Sequence, residues 1–316
     1  MKLMFSRREF VVSASAAMLA RGAASLTPRE RVDRAIAGQD ADRTPFTFWY
    51  HFVDETKPAE SHAKSTLDFH QKFHTDLVKV MSDYPYPKSK SEWYDLKVEQ
   101  NPYPQQIRAL ELIRDGLKGQ AHFLETIFNP YNVAEKLVSK DAVAKLRQEK
   151  PQKLFDALDV IAKSEANHAR KAIAAGASGI FIAIANSTDP EYAKFSEPFD
   201  KMVLNAVKNA PLNVLHIHGD KVDLPRFYKG WPAAGINYST HGTHIPISEL
   251  RKNFGGVILA GIDEVNYRKL TAAQLKQQHQ DAMRSAGKKY ILVPGCSVPN
   301  DTADEEMLRL TRYVGA

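Results

Sequence analysis

Eight short apolar, β-branched or aromatic runs recur along this chain, at residues 44–52, 76–81, 121–127, 179–185, 213–217, 235–238, 257–261 and 290–293. The stretches between them carry apolar residues at helical spacing, as in the long Ala-rich segment 157–175 and the thin apolar stripe of 270–284. Strand-like runs alternating with helices demand a parallel sheet with helical crossovers, because parallel neighbours cannot be joined by a tight turn. Eight such units are the count of a TIM (β/α)8 barrel. An open doubly wound sheet is the rival, but the Gly-rich first turn G-x-G-x-x-G is absent from the sequence. No Gly/Ser linker divides the chain after Thr27, so residues 26–316 are expected to form one α/β barrel domain.

The first 25 residues read differently. Ser6-Arg7-Arg8-Glu9-Phe10, the weakly apolar stretch 11–20 and the small residues up to Ser25 match a twin-arginine (Tat) signal peptide. The expectation is export by the Tat machinery to the periplasm. An amphipathic helix that happens to carry Arg-Arg is the alternative. This segment also accounts for much of the charge. The chain has 43 Lys+Arg against 37 Asp+Glu, a net of +6. Lys2, Arg7, Arg8 and Arg21 against Glu9 place +3 in the leader and leave +3 on the rest. That balance, without a basic run interleaved with aromatics, argues against nucleic acid as a partner. No stretch is long and apolar enough for a membrane span. The single Cys excludes an internal disulfide and any zinc finger built on several cysteines.

In a barrel the chemistry gathers where the strands end. Those ends supply His51 and Asp54, Asp83 and Tyr84, Glu125, Asn186, His216 and His218, Tyr238 and His241, Asp263, and Cys296. In Leu215-His216-Ile217-His218, alternation puts both imidazoles on one strand face, about 7 Å apart along the strand. They can converge on a metal ion, and Cys296, in a Pro-Gly-Cys-Ser turn after the last run, can reach the same axis. The spacing equally admits two partly buried structural histidines and a small buried thiol. Glu125 is read as a general base, a further ligand or a salt-bridge partner. Asp263 is read as an orienting group for a ligand histidine or a helix cap, and His241, with His244, as an extra ligand or substrate contact at the catalytic site or as an exposed loop residue. Trp49, His51, Tyr84, Asn186 and Tyr238 are candidate substrate-binding residues, with Tyr50, Phe52 and Tyr86 as further aromatic walls. Asp76 and Lys79 are expected to be structural.

Taken in order, several segments are similar to the uroporphyrinogen decarboxylase superfamily. They are Thr27-Pro28-Arg29-Glu30-Arg31-Val32 with Asp42-Arg43-Thr44-Pro45, the segment 73–80, Ser178-Gly179-Ile180-Phe181-Ile182, Leu215-His216-Ile217-His218-Gly219, Leu259-Ala260-Gly261-Ile262-Asp263, and Pro294-Gly295-Cys296-Ser297-Val298-Pro299. The resemblance implies a TIM barrel in a group that includes zinc-dependent methyltransferases acting on corrinoid and thiol substrates. That branch binds zinc through His-x-Cys and a distant second Cys. His216 and Cys296 match, while His218 stands where the first Cys would be, 78 positions before Cys296. The substitution leaves about one more positive charge on a divalent ion, which opens the way to hydrolysis or lyase chemistry and to other divalent transition metals.

The decarboxylase branch carries an Arg-Gln-Ala-Gly-Arg segment that grips a porphyrinogen's carboxylates. Here the matching segment is Trp49-Tyr50-His51-Phe52-Val53-Asp54-Glu55, with no arginine. The resemblance therefore implies a zinc-dependent methyl- or alkyltransferase acting on a thiol-type or corrinoid-linked small molecule. Two alternatives stand beside it. One is a cofactor-independent decarboxylase of a carboxylated aromatic or tetrapyrrole-like substrate. The other is a periplasmic metal- or tetrapyrrole-binding protein without turnover.

Overall fold

The apolar runs become parallel strands because both of their faces are buried, one against helices and one against the barrel axis. The computed structural model describes residues 25–52, 58–81 and 84–315. The leader, Asp54 and Asp83 lie outside the described residues. One sheet runs in sequence order through β1 (Leu77–Val80), β2 (His122–Phe128), β3 (Gly179–Ile184), β4 (Val214–Ile217), β5 (Gly235–Tyr238), β6 (Val257–Ile262) and β7 (Tyr290–Pro294). Every neighbouring pair is parallel. Helices such as Pro104–Leu117, Pro151–Ala174, Ala272–Ala286 and Asp304–Gly315 pack outside it. The fold is an α/β barrel of the TIM type, in one domain.

The first expected run is not a strand. It makes a single parallel bridge, Phe46 to Leu292. Proline has no N–H to give, and the Phe46 N–H goes to the Asp76 carboxylate at 3.0 Å instead of to a neighbouring strand. The segment still closes the barrel. Thr47 N donates to Leu292 O at 3.1 Å, Leu292 N to Pro45 O at 2.9 Å, and Asp76 N to Phe46 O at 2.8 Å. The Thr47 hydroxyl donates to Leu77 O at 2.5 Å. Asp76 is wholly buried and takes Arg31 at 3.1 Å and Arg43 at 2.5 Å, so its expected structural role is what the geometry displays.

The inner layer contains Trp49, Leu77, Leu124, Phe181, Val214, Leu259, Ile291 and Val293, which form one cluster. Their strand neighbours Ile180, Ile182, Leu215, Ile217, Ile236 and Tyr238 belong to the cluster under the helices. This alternation fixes which side chains look into the barrel: His216 and Asn237 share the inward phase of Val214 and Gly235, paired across β4 and β5.

Candidate metal centre

His216 is the last inward residue of β4, and His218 follows two residues later, just past the strand end. The turn after β7 brings in Cys296. One donor atom from each of the three lies within 4.8 Å of the others. Cys296 Sγ is 3.4 Å from His218 Nδ1. The turn is pressed against β5: a Cβ on Gly295 would stand 2.1 Å from the Ser239 Cα, so only glycine fits there. Glu264, itself buried, accepts the Gly295 N–H at 3.1 Å and ties the turn to the end of β6.

Asn237 sets the orientation of His216. Its amide nitrogen donates to Leu259 O at 2.8 Å and to Pro294 O at 3.1 Å, so its oxygen must be the acceptor. That oxygen receives Trp49 Nε1–H at 3.1 Å and His216 Nδ1–H at 2.6 Å. His216 is thereby held with its proton on Nδ1, and the Nε2 lone pair is left for a ligand. Burial depresses the pKa of His216, and burial followed by the Lys79 charge depresses that of His218. Both imidazoles are therefore in the neutral, metal-binding form at neutral pH. Burial on its own would push the Cys296 thiol up. The imidazolium form of His216, through its hydrogen bond and charge, together with the Ser297 N–H and the Lys79 ammonium, outweighs it and holds the thiol below its ordinary value.

This donor set suits a divalent transition metal. Zn–N and Zn–S bonds of about 2.1 and 2.3 Å put tetrahedral donors about 3.4–3.6 Å apart, which a set spanning under 5 Å reaches by small side-chain rotations. His216, His218 and Cys296 all line one cavity of about 290 Å³, and an ion held by three protein donors would have a further position for a substrate. Trp49, Phe128, Phe181 and Met81 wall that cavity, with Lys79, Lys140, Asn132 and Thr126 as its polar groups.

The other expected site residues divide. Trp49 and His51 line the cavity. Trp49 is 1% exposed, so its ring serves as a wall while its N–H steadies Asn237. Tyr84 lines an adjoining cavity. Glu125, read as a candidate base, faces the helices: it is fully buried and bonded to Gln106 Nε2 at 2.7 Å and His168 Nε2 at 2.8 Å. Tyr238 also points outward, donating to Ile245 O at 3.1 Å, because it alternates with the inward Asn237. Asn186 bonds to Asn129 at 3.0 Å and Ser196 at 2.7 Å, outside the cavity lining. Asp263 caps its own loop through Asn266 and approaches His241 at 3.9 Å. The orienting role foreseen for Asp263 at a ligand histidine is filled by Asn237.

Lys79 corrects the sequence reading too. Its ammonium lies 5.1 Å from the Phe181 ring centroid and 5.8 Å from that of Trp49, inside the cavity. Its place on the inward phase of β1, two residues after Leu77, was the available signal.

A parallel barrel with three convergent metal donors at its mouth defines a class of protein, and the sequence match narrows it. The model of the family described as uroporphyrinogen decarboxylase (URO-D) matches residues 84–316, and the chain belongs to that family. Among solved structures, the chain is similar to a methyltransferase from Methanosarcina mazei, at 18% identity and a TM-score of 0.73, over 92% of this chain and 99% of that one. It is also similar to a B12-independent methionine synthase from Shewanella sp. W3-18-1, at 13% identity and a TM-score of 0.58, over 86% and 92% of the two chains. At these identities the likeness is one of fold. No curated protein matches the sequence.

Proposed function

We propose that this protein is a metal-dependent enzyme that transfers a methyl or other alkyl group to or from a thiol-type small molecule. A zinc or other divalent transition ion would be held by His216, His218 and Cys296. The observation that carries the reading is the convergence of those three donors on one cavity. The fold likeness to a methyltransferase and to a methionine synthase supports it. When bound, a divalent ion supplies Lewis acidity that favours the anionic form of a thiol.

The chain's own residues prepare for that chemistry. Asn237 keeps the His216 proton on Nδ1. Lys79 presents a positive charge that draws an anionic thiol into the cavity. Trp49, Phe128 and Phe181 keep water away and strengthen every electrostatic contact inside. Among the described residues no arginine lines this cavity, which disfavours a tetrapyrrole with many carboxylates. In this proposal the protein is exported by the Tat route and works in the periplasm, with a corrinoid as one candidate donor.

Elemental analysis of protein never exposed to chelator tests the metal. About one equivalent is expected, lost in Cys296→Ser and His216→Ala; less than roughly a tenth of an equivalent overturns it. Methyl transfer from methylcobalamin to added thiols, followed by the change in corrin absorbance, tests the reaction. Consumption that depends on Cys296 excludes a binding protein without turnover.

A further inference from the structure

We propose that Thr126 binds the polar end of the substrate, which enters the cavity with a hydrogen-bond-accepting oxygen first and leaves its sulfur at the His216–His218–Cys296 group. The word substrate rests on the function proposed above; the state of the Thr126 hydroxyl does not. Side chains alternate along β2. Leu124 belongs to the inner cluster and Phe128 lines the metal cavity, so Thr126, in phase between them, also faces inward, where it lines that cavity. It is 4% exposed. Its hydroxyl is buried and meets no donor or acceptor among the described residues. Buried hydroxyls are almost always bonded, because a bare one has given up its bond to water for nothing. Gln106 Oε1 and His168 Nδ1 are also without partners, but they belong to the closed layer under the helices, around Glu125. Thr126 is bare on the side where a ligand goes.

Strand register gives the depth. Thr126 pairs with Phe181, and Phe181 with Val214, two residues before His216. Thr126 therefore sits one layer below His216 and two strands round the barrel, about 7 Å along the strands and about 10 Å across them. Both side chains project inward and shorten that path, so a few carbons between sulfur and oxygen suffice. Ala183 lies on the way, paired with Phe128 on one side and His216 on the other. It lines the cavity too, and its single methyl leaves the space that a larger side chain would fill. The threonine O–H has a proton to give, and the oxygen of an alcohol, a carbonyl or a carboxylate can accept it.

Calorimetric titration with 3-mercaptopropan-1-ol and butane-1-thiol, which differ by a hydroxyl in place of a methyl, tests the contact. Each is titrated into the full chain with and without added zinc. Thr126→Val should weaken the hydroxythiol about five-fold relative to the alkanethiol, the worth of one hydrogen bond. Thr126→Ser keeps the hydroxyl and should hold the wild-type ratio. The urea midpoint of Thr126→Val should not fall, because no partner is stranded; a fall would make the hydroxyl a structural tie and overturn the proposal. A valine variant whose ratio stays within a factor of about two of the wild type overturns it as well. So does a serine variant that behaves like valine, or a wild-type protein that binds neither thiol. Failure of the transferase reading is seen separately: a metal-free elemental analysis sinks that reading, while a ratio shifted by Thr126→Val without zinc leaves the contact standing.

Discussion

Replacing Asn237 with leucine should damage stability and metal affinity by separable mechanisms. The side chain is fully buried and makes four hydrogen bonds, two as donor to Leu259 O and Pro294 O and two as acceptor from Trp49 and His216. Leucine has nearly the same volume, so the cavity term is small and the cost falls on the stranded polar partners. A buried group left unsatisfied costs about 1–3 kcal/mol, and partial relaxation of four such groups brings the sum to about 4 kcal/mol. Urea denaturation of the metal-free protein reads this as a lowered midpoint at unchanged slope.

The second effect is on His216, which loses the acceptor that fixes its tautomer. Zinc affinity, measured by competition with a chromophoric chelator under conditions where the variant is folded, should fall about 10- to 100-fold. A variant destabilised as expected but binding zinc within a factor of about two of the wild type would refute the argument. Asn237 would then be a structural tie between β5, β6 and β7 and nothing more.

Three further outcomes follow from other parts of the molecule. Asp76→Ala strands Arg31, Arg43 and the Phe46 N–H, and should cost about 3–5 kcal/mol in chemical denaturation. Burial lifts the Glu165 carboxyl to about 7 and the Asp200 carboxyl to about 7. A raised folded-state pKa favours the folded protein in its protonated form. The contribution of these two carboxyls to stability should therefore be full below about pH 4 and be lost as pH rises through about 7, with Glu165→Gln removing its share of the slope. Lys79→Met withdraws a charge that holds the Cys296 thiol low. The thiolate absorbance of metal-free protein should then titrate at higher pH, and an unchanged curve would remove Lys79 from the thiol's environment.

The strand positions were legible because a parallel strand buried on both faces must be continuously apolar, and seven of the eight runs met that condition. The same continuity hid the phase of each strand. Tyr238 ends its strand, as expected, while Glu125 sits in the middle of β2 and not at its end; both lie on the helix side, where nothing in an apolar run marks the difference. Asn237 is the converse: a polar residue inside the run 235–238 whose value comes from its register opposite His216. His216, His218 and Cys296 stood out because imidazole pairs two residues apart and a unique thiol are uncommon in any run. Lys79 was passed over because a lysine in a strand normally sends its ammonium to solvent.

The seam between Phe46 and Leu292 joins residues 246 positions apart. Such a contact forms late, since the loop it closes is nearly the whole chain. Trp49, just beyond the seam, donates to Asn237 and accepts the Val298 N–H at 3.0 Å. Cys296 belongs to the last turn before the final helix. A chain still being synthesised thus holds two histidines without their thiol, and their orienting amide without its tryptophan. On the proposed function, ring closure would complete the donor set, and metal capture would then report on completed folding.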